Sequence, residues 1–170
     1  MKKCLLTLSL ITIISFVAQA QVINAAISSS VNATVTGTPD IAAFATDSDI
    51  ENGLITAPVN FAVKSNRLWK LTTTITGIVG TPITGGPGTI EAPLLPSNIA
   101  WGVINGADGT PSSFTTFSAT VNTPTQAKTG TRGSALVSGN TFTLRYKVTP
   151  GFAVDPGTYA VSVTHTVSAQ

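Results

Sequence analysis

Cysteine and histidine are almost missing from this chain of 170 residues, which holds one of each, Cys4 and His165. A Cys-His nucleophile is not available once Cys4 is set aside, and a zinc centre with several Cys or His ligands cannot be assembled within one chain. Charge is scarce as well, at 9% of residues, with nine basic side chains against seven acidic. Nucleic-acid binding draws most of its affinity from phosphate neutralisation and needs a basic stripe, and none is present. Lys64, Arg67 and Lys70 cluster, but along a strand they fall on mixed faces and read as a solvated edge. Long helical apolar periods are lacking too, so a helical bundle is not expected.

The first twenty residues have a clear pattern. Lys2 and Lys3 precede an apolar run from Leu5 to Val17, which ends in Ala18-Gln19-Ala20 before Gln21. A short positive segment, an apolar stretch below the ~20 residues of a membrane-spanning helix, and small residues at the cleavage positions define a secretory signal peptide. Residues 1–20 are therefore expected to be removed, leaving 21–170 as one exported domain without a transmembrane anchor. Cys4 lies before the apolar run, not at the cleavage point, so lipid attachment is not expected. Seven basic residues then balance seven acidic ones, and the exported chain has no cysteine, although its compartment permits disulfides. Its stability must come from a core, and a chain of this size buries about two-thirds of its unfolded surface.

What the sequence does contain is β-forming residues, with glycine and proline spread throughout. Ile23, Ala25, Ile27, Ser29, Val31, Ala33 and Val35 alternate with polar or small residues, as in an edge strand or N-terminal arm. Ile41 to Phe44 fits either a strand or a helical turn. Val59, Phe61 and Val63, then Trp69, Leu71, Thr73 and Ile75, predict two strands separated by a turn or bulge. Gly77 to Pro96 reads as an exposed connection with at most a short edge strand. Ile99, Trp101 and Val103 alternate up to Asn105-Gly106-Ala107-Asp108-Gly109, strong turn chemistry. Weaker strands are expected over Phe114–Val121 and Thr131–Val137, the latter joined as a hairpin through Ser138-Gly139-Asn140 to Phe142, Leu144, Tyr146 and Val148. The final strand sets Tyr159, Val161, Val163, His165 and Val167 on one face and Thr158, Ala160, Ser162, Thr164 and Thr166 on the other. About eight or nine short strands with turns between them predict an all-β, antiparallel, immunoglobulin-like sandwich.

Motifs that carry chemistry are weak. Asp47, Asp49 and Glu51 alternate, but the glycine and the twelfth-position glutamate of a calcium loop are missing, so a solvated loop is expected. Asp40, Glu91, Asp108 and Asp155 offer carboxylates without a spacing that pairs any two. His165 lies on the apolar face of the last strand, and no nucleophile-elbow pattern accompanies it. Gly85-Gly86-Pro87-Gly88 lacks the lysine of a phosphate loop. Asn32-Ala33-Thr34 fits a glycosylation sequon. Trp69 and Trp101 stand in register with aliphatic neighbours, as core residues do; Trp101, nearer a loop, is the candidate for stacking on a sugar. No catalytic residue, metal or cofactor is expected.

Two segments carry a resemblance: Val63-Lys64-Ser65-Asn66-Arg67-Leu68-Trp69-Lys70-Leu71, and Pro156-Gly157-Thr158-Tyr159 opening a strand that ends at Ser168-Ala169-Gln170. Together they resemble small exported β-sandwich proteins of Gram-negative bacteria, in the pattern of fimbrial subunits and spore-coat-U-like secreted pilins. The resemblance implies a Ser-Asn-x-x-Trp stretch feeding a core strand and a Gly-Thr-Tyr turn opening the last strand. No ligand residue carries over. The chain departs from the disulfide-bearing, incomplete sandwich of many such subunits, which points to a self-completed domain.

The expectation is a non-enzymatic structural or adhesive protein, secreted, periplasmic or at the cell surface, that contacts other surface proteins or itself; the alternative is a carbohydrate-binding module with a glycan ligand. Trp101, Ile23, Ile27 and Val31 are the candidate contact residues. The arm bearing Ile23, Ile27 and Val31 has two placements, pairing within its own chain or completing the sheet of a neighbour.

Overall fold

The computed structural model describes residues 28–83, 88–106 and 109–170. The expected signal peptide at 1–20, Ile23, Ile27, most of the Gly85–Gly88 stretch, and Ala107 with Asp108 lie outside the described residues.

Among the described residues nine strands form two antiparallel sheets, and the protein is an all-β sandwich. In chain order they are β1 (Val31–Thr36), β2 (Leu54–Ile55), β3 (Val59–Ser65), β4 (Trp69–Pro82), β5 (Ile99–Asn105), β6 (Thr115–Thr116), β7 (Thr125–Gly130), β8 (Thr141–Val148) and β9 (Gly157–Ala169). One sheet has the order β1-β3-β8-β5-β6, with β2 added to the end of β8; the other is β7-β4-β9. The core between them contains Val59, Phe61, Val63, Trp69, Leu71, Ile75, Ile99, Phe142, Leu144 and Tyr146. These side chains come from the period-two positions of β3, β4, β5 and β8, so alternation along each strand builds the interior directly. Phe61 stacks on Phe142 at 5.0 Å between centroids, and Phe142 on Trp69 at 5.8 Å, which joins the two layers.

Several connections differ from the sequence expectation for one shared reason: after β3 the chain repeatedly changes sheet. Residues 66–68 carry it from β3 in the larger sheet to β4 in the smaller one. The expected hairpin between Thr131–Val137 and β8 is not formed. The strand is instead Thr125–Gly130, paired with β4, and 131–140 crosses back to the larger sheet. A polar turn between two alternating runs suits a corner as well as a hairpin, because both need the same backbone freedom. Here Gly130 sits opposite Trp69 and a Cβ at Gly130 would overlap the indole, while Gly133 has φ 138°. Ser65 and Gly133 exchange backbone hydrogen bonds of 3.0 and 2.6 Å, so the crossing segment extends β3 beyond its pairing with β8.

β4 continues to Pro82, past the point at Gly77 where an exposed connection was expected. The cause is a bulge. Ile75 pairs with Val163 and Gly77 with Ser162, leaving Thr76 as the extra residue. The bulge reverses the inward-facing parity, so Ile78 packs against the core while Val79 is 67% exposed. Over Phe114–Val121 only Thr115 and Thr116 form a strand. Ile41–Phe44 is neither strand nor helix. Asp47–Asn52, expected as a loop, is a short helix α1 with a capping box: Asp49 N donates to Thr46 Oγ1, and Asp49 Oδ2 accepts from Thr46 N at 2.9 Å.

Candidate functional site

The feature with the most capacity for a partner is the outer edge of β9. This strand runs for 13 residues, carries no Asp, Glu, Lys or Arg, and pairs with β4 along one side. Among the described residues no strand pairs with its other side. Its odd-numbered residues from Tyr159 to Val167 are half-buried against the core, and the even-numbered ones from Thr158 to Thr166 are exposed. The other sheet edges are shorter or interrupted. β6 has two residues; β7 carries Lys128 and a bulge at Ala127; β1 has six residues and ends with exposed Val35 and Thr36. Short length, charge and bulges are how edges resist pairing with foreign strands, and β9 has none of the three.

A buried polar cluster lies behind this edge. Tyr146 reaches from β8 across the core, and its hydroxyl lies 3.3 Å from Thr73 Oγ1 on β4 and 3.2 Å from His165 Nε2 on β9. Thr73 and His165 are register partners. The imidazole stands edge-on to Phe61 at 5.1 Å between centroids. Burial lowers the His165 pKa, since desolvation disfavours the imidazolium, and pushes the Tyr146 phenol up well above its ordinary value. At neutral pH both groups are uncharged. His165 Nδ1 is buried without a hydrogen-bond partner. No carboxylate orients the ring and no serine or cysteine reaches it among the described residues. The cluster therefore fastens the two sheets together and lacks the groups of a nucleophilic site.

Two of the sequence-predicted contact residues are described, Val31 on β1 and Trp101 on β5, and β3 and β8 lie between their strands. Val31 is half-buried and pairs with Ser65 at the start of β1, so the described part of the arm pairs within its own chain; Ile23 and Ile27 lie outside the described residues. Trp101 is 9% exposed and belongs to the core, with its Nε1 buried and unpartnered, and Trp69 is fully buried. Neither indole presents a face to solvent. The described carboxylates have structural roles where bonds fix them: Asp49 caps α1, and Asp155 Oδ2 accepts from Glu91 N at 2.7 Å and Ala92 N at 2.8 Å, tying down the connection before β5. Backbone donors lower the Asp49 pKa. Among the described residues no group of three or more His, Cys, Asp and Glu could hold a metal ion.

Two residues have roles that local patterning does not show. Tyr146 alternates with apolar residues, and the only signal is that a buried phenol needs a hydrogen-bond partner. Asn140 follows Ser138-Gly139 in a turn pattern, but it is fully buried, accepting from Trp69 Nε1 and donating to Ser134 O. No known family matches the chain, and no curated protein matches it.

Proposed function

We propose that the protein is an exported structural or adhesive β-sandwich, acting at the cell surface or outside the cell as a subunit of a larger assembly. The observation that supports this reading most is the long, uncharged, unguarded edge of β9, a template for backbone pairing with another chain. The signal-like first twenty residues supply the compartment, and the balanced charge of residues 21–170 leaves no field that would select nucleic acid. A catalytic reading has less behind it, because the one histidine is fastened inside the sandwich. The test is recovery of the tagged protein from its native cells. Amino-terminal sequencing should begin at Gln21, and crosslinking on intact cells should capture the protein in surface complexes of more than one chain. Retention of Met1 in a cytosolic monomer would defeat the proposal.

A further inference from the structure

We infer that the partner of the β9 edge is the β9 of a second copy of this chain, joined antiparallel about a twofold axis at Val163; this deepens the assembling role proposed above and rests on it. Val163 is the midpoint of Gly157–Ala169, so pairing about it is the register that engages all 13 residues, and alternation keeps like faces together. Large side chains occupy 159, 161, 163, 165 and 167, while small or hydroxyl-bearing ones occupy 158, 160, 162, 164, 166 and 168. Antiparallel pairing centred on Val163 places Val163 against its own copy, Val161 against His165, Tyr159 against Val167, and Ser162 against Thr164. Every half-buried side chain then meets another on the core side, and every exposed one meets another on the solvent side. A shift of one residue would oppose the two faces and is disfavoured.

Electrostatics favour the same partner. A strand with no charged residue meets its copy without repulsion, whereas β7, the opposite edge of the same sheet, carries Lys128 and is interrupted by the bulge at Ala127. The β4 bulge lies on the other side of β9, so the register shift at Thr76 leaves β9 itself regular over its whole length. Joined this way, the two three-stranded sheets become one six-stranded sheet, β7-β4-β9 continued by β9-β4-β7 of the copy. Both β9 edges then become interior, and cross-strand pairs of β-branched residues stabilise the junction.

The test uses exposed positions whose replacement spares the core. Ser162→Lys together with Thr164→Lys places four ammonium groups around the axis, and Ser162→Glu with Thr164→Glu places four carboxylates there. Sedimentation of the exported protein should show a wild-type dimer, at least a tenfold weaker dimer for each double variant, and restored dimerisation in their equimolar mixture. Circular dichroism and thermal melts of each variant confirm that the sandwich is retained. A monomeric wild-type protein, which includes the case where its own residues 21–27 cover the edge, overturns the inference; so does a dimer indifferent to the substitutions. If crosslinking recovers the protein in surface complexes while purified chains stay monomeric, this dimer is wrong and the assembling role stands.

Discussion

The indole Nε1 of Trp69 donates to the side-chain Oδ1 of Asn140 at 3.0 Å, joining residues 71 positions apart in sequence across the two sheets. Asn140 is fully buried, and its Nδ2 donates to Ser134 O at 3.0 Å, so one amide fixes both the core tryptophan and the loop that returns the chain to the larger sheet. Asn140→Ala leaves the indole with the longer bond to Thr131 O and Ser134 O with only its backbone bond from Val137 N. The expected loss is about 1–3 kcal/mol, from two lost hydrogen bonds at about 0.5–1.5 kcal/mol each. Urea unfolding followed by tryptophan fluorescence measures it, and an unchanged midpoint would refute the role given to this amide.

Two glycines, Gly77 on β4 and Gly130 on its neighbour β7, should differ in their response to the same substitution. A Cβ at Gly130 would overlap Trp69 Cζ2, part of a fully buried ring, whereas a Cβ at Gly77 would meet nothing within 4 Å. Gly130→Ala should destabilise by about 1–3 kcal/mol through overpacking. Gly77→Ala should stay within about 0.5 kcal/mol of wild type. Paired thermal melts check the contrast.

The buried histidine gives a pH dependence of defined sign. The folded-state pKa of His165 is lowered below 6.5, so the unfolded chain binds the proton more readily than the folded one. The stability held by the neutral ring is fully present above about pH 6.5, falls as the pH drops toward the folded pKa, and levels off below it. Tyr146 and Thr73 are the polar groups facing the imidazole, and neither changes charge in that window. Replacing the ring by His165→Gln removes this contribution. The stability difference between wild type and His165→Gln should therefore shrink as pH is lowered from about 7.5 to 5, measured by urea unfolding at each pH. A difference that is flat or grows on acidification would contradict the buried-neutral assignment.

Strand content and core were largely written into alternation, because a strand with one face on a core must repeat every two residues. Phe61, Val63, Leu71 and Leu144 lie in the interior that their spacing implied, and β9 keeps its predicted faces for all of Tyr159 to Val167. Connectivity was much less legible. The turn at Ser138-Gly139-Asn140 has hairpin chemistry, but what decides its course is Asn140 bonding to a tryptophan 71 residues away, a contact that no local pattern encodes. The bulge at Thr76 was hidden for a similar reason: it is defined by the register of β9, some 86 residues later. Val35 keeps the parity of Val31 and Ala33 yet is 46% exposed, since alternation says which residues share a face and not where the opposing sheet ends. The candidate site was the least legible part. An open edge is a property of strand order, which alternation leaves undetermined.

Trp101 belongs to the core, and its replacement should be read as a core mutation. It is 9% exposed and its strand partner is Tyr146. Trp101→Ala should destabilise by about 3–5 kcal/mol, as large-to-small aromatic truncations do. Loss of glycan binding in that variant would therefore report unfolding. Trp101→Phe keeps most of the buried volume, and a folded Trp101→Phe protein on a glycan array is the informative comparison. Glycan binding by wild type that disappears in folded Trp101→Phe would revive the carbohydrate-binding alternative.

Asn66 holds the start of the described chain against the corner between β3 and β4. Its Oδ1 accepts from Ser30 N at 2.9 Å and its Nδ2 donates to Ser28 O at 2.7 Å, so one side chain satisfies two backbone groups just before β1. The β1 ladder that follows is short, six residues paired among the described residues with β3 alone, and fraying of a short edge strand begins where its end is least tied. Asn66→Ala removes both side-chain bonds and leaves the Asn66 N–H bond to Ser30 O in place. These groups are exposed, so each lost bond is worth about 0.5–1.5 kcal/mol. The global melting temperature should fall by only a few degrees, while amide exchange at Val31 to Ala33 should accelerate well beyond that in β3 and β8. Deleting residues 21–36 should cost far more, because it exposes the outer edge of β3 and uncovers Val63 beside Val31 and Ala33. If that deletion left the melting temperature unchanged, β1 would not be an integral strand of its own sandwich, and pairing of the arm within its own chain would have to be given up.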